Sequence, residues 1–345
     1  MAASAKTQIN GKKLEKVIED WFQSAWDTAV KESAINRPDE VLWFRALHSL
    51  VQGGLETDLA ARTPNLIPIV ESTVVHGGTP FAVKPLEPPP WKKGETAEVG
   101  DILFVVSLFE RDAVVRREAL LIQVKIDDYK VKEDSTDREL ALYATWPPFW
   151  WNNSKMQRLL PRRGLRFAGG LAFPAAIFGV VPSDCSKPFL AHDAEYQNGR
   201  GRLIGDRPLT REIANVLTLN LGYDAARSCH VCYCWSQIVE DMLTYARHES
   251  SSSNIYRKIY AEHIDAIRLS PVIARVLQQR RLGVAGSPLK PWSPLRVRGT
   301  EPLGDGVFIG SDDGGLDGTL VVDVSYVDPP TFESAYGFIE EFRLD

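Results

Sequence analysis

From residue 11 to 34 the apolar positions Leu14, Val17, Ile18, Trp21, Phe22, Trp26 and Val30 recur at three-and-four spacing, the period of an amphipathic helix. A second helix is expected to open near Pro38-Asp39-Glu40, where proline and acids suit a first turn. It runs through Leu42, Phe44, Leu47, Leu50 and Val51 to Gly53-Gly54 or a little beyond, or restarts after those glycines. The pattern then shifts to short apolar runs. Residues 66–75 read as a first strand, and 76–97, with Gly77-Gly78, Pro85 and Pro88-Pro89-Pro90, as a loop without regular structure. Residues 101–107 and 119–126 are two apolar runs suited to an antiparallel hairpin.

Beyond the hairpin, 138–143 is a short helix stopped at Trp146-Pro147-Pro148, and 171–181 is a buried strand with Pro174 near its start. The polar, glycine-bearing residues 184–208 read as a surface loop. Helices follow at roughly 209–219, 233–248 and 255–281, with a break at Ser250-Ser251-Ser252-Ser253. Residues 283–306 read as a linker, and 306–309 and 319–326 as strands about a turn rich in Asp and Gly. The order predicts an α/β fold: a mixed sheet flanked by helices in 1–182, a mostly helical region in 183–282, and a linker with a small acidic β segment in 283–345.

Composition narrows this picture. The chain of 345 residues is long enough for one large or two ordinary domains. It has no apolar run of membrane-spanning length, and residues 1–8 lack the apolar core of a secretory signal, so a soluble, cytoplasmic protein is expected. Three of the four cysteines crowd into Cys229-His230-Val231-Cys232-Tyr233-Cys234. With Cys185 they could supply zinc ligands, but a single cluster reads better as buried, reduced thiols. The net charge of −5 conceals opposed local fields. Lys155, Arg158, Arg162, Arg163 and Arg166 form an acid-free stretch, and residues 266–300 carry seven basic side chains and no acid, whereas the segment from Glu301 onward carries only Arg343 as a cation. Such basic stretches neutralise phosphates or are solvated helix faces. Trp146, Phe149, Trp150 and Trp151 beside the first of them either fill the core or stack on bases. No Gly-x-x-x-x-Gly-Lys and no Gly-x-Ser-x-Gly occurs, which argues against a phosphate-cradling ATPase loop and a serine hydrolase elbow.

The hairpin carries the candidate chemistry. Gly100-Asp101 opens the first strand, and Gln123-Val124-Lys125 lies inside the apolar second one. Residues two apart on a strand share a face, so Gln123 and Lys125 point the same way. In an antiparallel pair Asp101 meets them at one end of the ribbon, where a carboxylate, an amide oxygen and an ammonium can hold a divalent cation against a phosphodiester.

Gly-Asp before an apolar run, followed by Gln-Val-Lys, resembles the PD-(D/E)xK nuclease superfamily, the restriction-endonuclease-like fold, in the form where glutamine replaces the second acid. The resemblance covers roughly residues 40–182. It implies a metal-dependent endonuclease using Mg2+ or Mn2+, with Asp101, Gln123 and Lys125 catalytic and a glutamate added from the preceding helix. Glu56 is the first choice for that glutamate and Glu71 the second; Glu98, on an extended chain, would face away. Asp101, Glu56, Gln123 and the carbonyl of Val124 would then ligate the metal. It further implies a nucleic-acid substrate, DNA ahead of RNA, bound through Lys155, Arg158, Arg162, Arg163 and Arg166, and a place in bacterial anti-phage defence or restriction, with a protein partner or self-association. The alternative is a noncatalytic nucleic-acid-binding or assembly subunit that keeps the fold.

Overall fold

A computed structural model describes residues 11–33, 40–63, 65–76, 80–86, 95–110, 113–126, 135–159, 176–184, 186–221, 235–250 and 318–327. The elements in chain order are α1 (Gly11–Glu32), α2 (Glu40–Ala60), β1 (Ile67–His76), β2 (Ala82–Pro85), β3 (Ala97–Glu98), β4 (Ile102–Glu110), β5 (Ala113–Ile126), α3 (Ser135–Thr145), β6 (Phe149–Trp151), α4 (Ser154–Leu159), β7 (Ala176–Val181), β8 (Leu190–Gln197), β9 (Arg200–Pro208), α5 (Leu209–Leu217), α6 (Trp235–Ser250) and β10 (Gly318–Val327).

The apolar runs build a seven-stranded mixed sheet in the order β1-β10-β4-β5-β7-β8-β9. Pairs β10–β4 and β5–β7 are parallel and the others antiparallel. The inner strands β10, β4 and β5 are buried on both faces, which is why they read as nearly continuous hydrophobic runs. Alternation still sorts side chains between two layers. On one side, α5 lies over Ile122: a Cβ on Gly179 would come within 2.9 Å of both Ile122 Cγ2 and Leu209 Cδ2, so this helix sits tightly on the sheet. Tyr326 Oη of β10 donates to the Leu217 carbonyl at the end of α5 (2.8 Å), and α1 packs on both α5 and α2, with Phe22 in edge-to-face contact with Trp43 and Phe189.

On the other side lie α3, α6 and a small sheet of order β3-β2-β6. Tyr143 of α3 tilts against Phe178 of β7, Arg117 of β5 bonds Glu240 of α6 (2.8 Å), and Trp151 of β6 donates to Asp241 of α6 (3.2 Å).

The architecture bears out a mixed sheet flanked by helices, with three corrections to the elements read from sequence. Of the two readings of α2 the continuous one holds, since the helix passes through Gly53-Gly54 to Ala60. The segment expected to be irregular at 76–97 contributes β2 and β3. The expected surface loop at 184–208 is the β8–β9 hairpin, turned at Asn198-Gly199, both with positive φ. The strand assigned to the C-terminal segment is β10, which lies inside the large sheet. The helix expected at 255–281, the linker at 283–306 and the strand at 306–309 lie outside the described residues, as does the Cys229–Cys234 cluster.

Candidate functional site

The β4–β5 register pairs Ile102 with Ile122, which sets Asp101 across from Gln123 one position further along. The backbone agrees: Asp101 N–H donates to the Ile122 carbonyl (2.9 Å), while the Asp101 carbonyl accepts from Leu320 N–H of β10 (2.8 Å). Thr319 Oγ1 adds a bond to the Gly100 carbonyl (3.1 Å). Two inner strands therefore fix the peptide that carries the acid. Gly100 permits the close fit, because a Cβ there would stand 2.7 Å from Leu121 Cδ1 and 2.9 Å from Tyr143 Oη.

Asp101 and Gln123 are each only 1% exposed. Asp101 Oδ2 accepts Gln123 Nε2–H at 2.8 Å and Val124 N–H at 2.5 Å. A carboxylate can only accept, so the first bond fixes which end of the amide faces Asp101 and turns Gln123 Oε1 elsewhere. That oxygen is buried and has no hydrogen-bond partner. A buried acceptor left in this state costs free energy unless a ligand answers it. Within a strand the N–H and C=O of one residue project to the same edge, so the Val124 carbonyl is directed to the side from which its N–H meets Asp101.

Lys125 shares the face of Gln123. Its ammonium lies 3.0 Å from Glu139 Oε2 on α3, with side-chain exposures of 22% and 11%. One turn further along α3, Tyr143 donates its hydroxyl to the Val99 carbonyl (2.6 Å), tying the helix to the chain just before Asp101. Burial holds the Tyr143 phenol well above its ordinary value, and the charges of Asp101, Glu139 and Glu98 push the same way, so it remains a donor. Three aromatic contacts close this corner: Tyr143 stacked on Trp146, Tyr143 against Phe178, and Trp146 edge-on to Trp235.

The structure thus brings together Asp101, Gln123, Val124 and the face of Lys125, but not Glu56. The Glu56 carboxylate on α2 accepts Val70 N–H of β1 (3.1 Å). Val70 stands opposite Val324, and Val324 opposite Val106, five residues along β4 from Asp101. Five residues along and two strands across separate Val70 from Asp101 by roughly 20 Å. Burial raises the Glu56 pKa, and the Val70 bond partly opposes it. Glu71, the second choice, pairs with Asp323 at the level of Val105, about 13 Å along β4 from Asp101. Glu98, expected to face away, acts electrostatically on Tyr143; the chain passes from the small sheet to the large one between residues 98 and 101, so strand alternation does not carry across.

Sequence reasoning missed Glu139. Its Arg138-Glu139-Leu140 context reads only as helix surface, and the distance to Lys125 is set by docking of α3. Of the basic stretch, Arg158 is exposed on α4, with Nε donating to the Ser154 carbonyl (3.3 Å). Arg162, Arg163 and Arg166 lie outside the described residues, and only the helical backbone is described at Lys155. Trp146, Phe149 and Trp151 are buried, so they fill the core, whereas Trp150 is 39% exposed.

Among the described residues no three His, Cys, Asp or Glu side chains converge as metal ligands. Mg2+ needs fewer, because it binds through one or two carboxylates and keeps several waters. Gln123 Oε1, buried and without a hydrogen-bond partner on a residue whose Nε2 bonds the Asp101 carboxylate, is a neutral oxygen of the type such an ion takes. No family model matches the chain, and neither does any curated protein or solved structure.

Proposed function

We propose that the chain is a metal-dependent nuclease with a restriction-endonuclease-like core, hydrolysing phosphodiester bonds of nucleic acid, DNA ahead of RNA, in a restriction or anti-phage role. The observation that carries this reading is the unpartnered Oε1 of Gln123, a residue whose Nε2 bonds Asp101, on the strand face that also bears Lys125. Asp101 and Gln123 Oε1, with the Val124 carbonyl, would hold Mg2+ or Mn2+. When bound, such an ion supplies Lewis-acid polarisation of a phosphate and acidification of water. Gln123 Nε2 and Val124 N–H hold the Asp101 carboxylate in a fixed orientation. Lys125 presents a fixed positive charge to the oxygens on which negative charge develops.

The test is nicking of supercoiled plasmid and cleavage of RNA in Mg2+ or Mn2+, with EDTA as control. Asp101→Asn and Lys125→Ala are each expected to lose about a hundredfold to a thousandfold in rate, while thermal melting shows that they fold. Asparagine is preferred to alanine at 101 because truncation would strand two buried N–H donors. Unchanged cleavage by either variant defeats the assignment.

A second reading is a noncatalytic nucleic-acid-binding or assembly subunit that retains the fold. It is favoured by the way the protein answers both charges from within, Asp101 by two N–H donors and Lys125 by Glu139. A wild-type protein that retards nucleic acid in a gel but cuts none in either metal selects this second reading.

A further inference from the structure

Glu139 belongs to neither strand of the hairpin. It reaches the site from α3, and three contacts set its place: Tyr143, one turn along, is anchored to the Val99 carbonyl and packs on Phe178, and α3 as a whole lies over β8 and β9. The Glu139 side chain is 11% exposed and stands 3.0 Å from Lys125 Nζ. Its charge is therefore weakly screened, and its rotamer freedom is already lost to packing.

Lysine needs such a partner here. Its ammonium rides on a flexible four-carbon stem, whereas a charge that stabilises a transition state works best when its position is fixed beforehand. An ammonium carries three N–H donors, so engagement by one carboxylate does not exhaust it.

We infer that Glu139 is a positioning residue for the reaction proposed above: its carboxylate holds the Lys125 ammonium in the orientation in which it meets the phosphate. The inference rests on the nuclease reading and adds to it a residue from a separate element.

The experiment uses the full chain as wild type, Glu139→Gln, Lys125→Ala and the double variant. Single-turnover cleavage of a labelled duplex is measured in Mg2+, duplex affinity is measured in EDTA, and the rate of reductive methylation at Lys125 is read by mass spectrometry without metal or nucleic acid. Glu139→Gln is expected to cleave about tenfold to a hundredfold more slowly, to bind the duplex within about twofold of wild type, and to expose Lys125 to faster methylation. In the Lys125→Ala background the same change is expected to cost nothing more, because the two residues act as one unit. A merely structural role would instead multiply the two losses and leave the methylation rate unmoved. If Glu139→Gln fails to fold, Glu139→Asp carries the test: it keeps the charge one methylene short, and intermediate cleavage with intermediate methylation is the result expected. Wild-type cleavage by Glu139→Gln, or multiplied losses in the double variant, overturns the inference and leaves the nuclease reading standing. A wild type that cuts neither DNA nor RNA removes both.

Discussion

At Gly100 a hydrogen stands where any other residue would place a carbon. The 2.7 and 2.8 Å approaches to the Leu121 side chain and the 2.9 Å approach to Tyr143 Oη mean that Gly100→Ala must push Leu121 aside, displace Tyr143 from the Val99 carbonyl, or shift the Asp101 peptide. Overpacking of this kind costs about 1–3 kcal/mol. The expected result is a lower thermal midpoint for Gly100→Ala, measured by calorimetry; an unchanged midpoint would show that the neighbours yield freely. At this scale the sequence reveals much, but only part of the site. Asp101, Gln123 and Lys125 can be found because strand periodicity alone fixes their shared face and the hairpin fixes their register. Glu139 and Glu98 cannot, because each reaches the site through packing of an element whose docking no local pattern encodes. Glu56 looks right by type and chain order, yet its carboxylate serves the outer strand β1 instead.

That contact belongs to the element scale. Among the described strands β1 is the edge of the large sheet, and an edge leaves N–H groups that need partners. The α2 carboxylate supplies one at Val70. Burial raises the Glu56 pKa above its ordinary value of 4.5, so the folded chain holds this proton more tightly than the unfolded chain does. Its contribution to stability is thus fully present below about 4.5 and is lost as pH rises through the raised value. Glu56→Gln cannot ionise, and its amide oxygen still accepts from Val70. We expect it to melt above wild type at neutral pH, with the advantage shrinking as the solution is acidified toward pH 4.5; melting curves across that window check this, and a constant difference would contradict it.

Other elements were hidden for similar physical reasons. Strand β2 ends in Pro85, which a short strand in a small sheet tolerates, so proline content alone did not exclude pairing. The β8–β9 ribbon looked like a loop because its charged positions answer one another across the strands, Glu195 with Arg202 and Asp193 with Arg207. Its legible signal was Asn198-Gly199, a two-residue turn whose positive φ values suit a hairpin.

Over the whole molecule, the decisive arrangement is the insertion of β10 between β1 and β4. Its apolar run was plain in the sequence, but its neighbours were not, since pairing over such separations depends on the fold and not on local pattern. Deleting residues from Gly318 onward would uncover the inner edges of β1 and β4 together and remove the bonds from Leu320 and Thr319 to the Asp101 and Gly100 carbonyls. Such a chain is expected to aggregate and to lose cooperative unfolding, as read by sedimentation and circular dichroism; a monodisperse, cooperatively melting truncation would contradict this. The same connection reaches into biosynthesis. Thr319 clasps Gly100 across 219 positions of chain, so a ribosome must extrude the polypeptide past residue 327 before the peptide bearing Asp101 gains its second flank. A nascent chain arrested earlier holds the acid, the amide and the ammonium in its sequence but not yet in a completed sheet, so their shared geometry forms only after translation has passed that point.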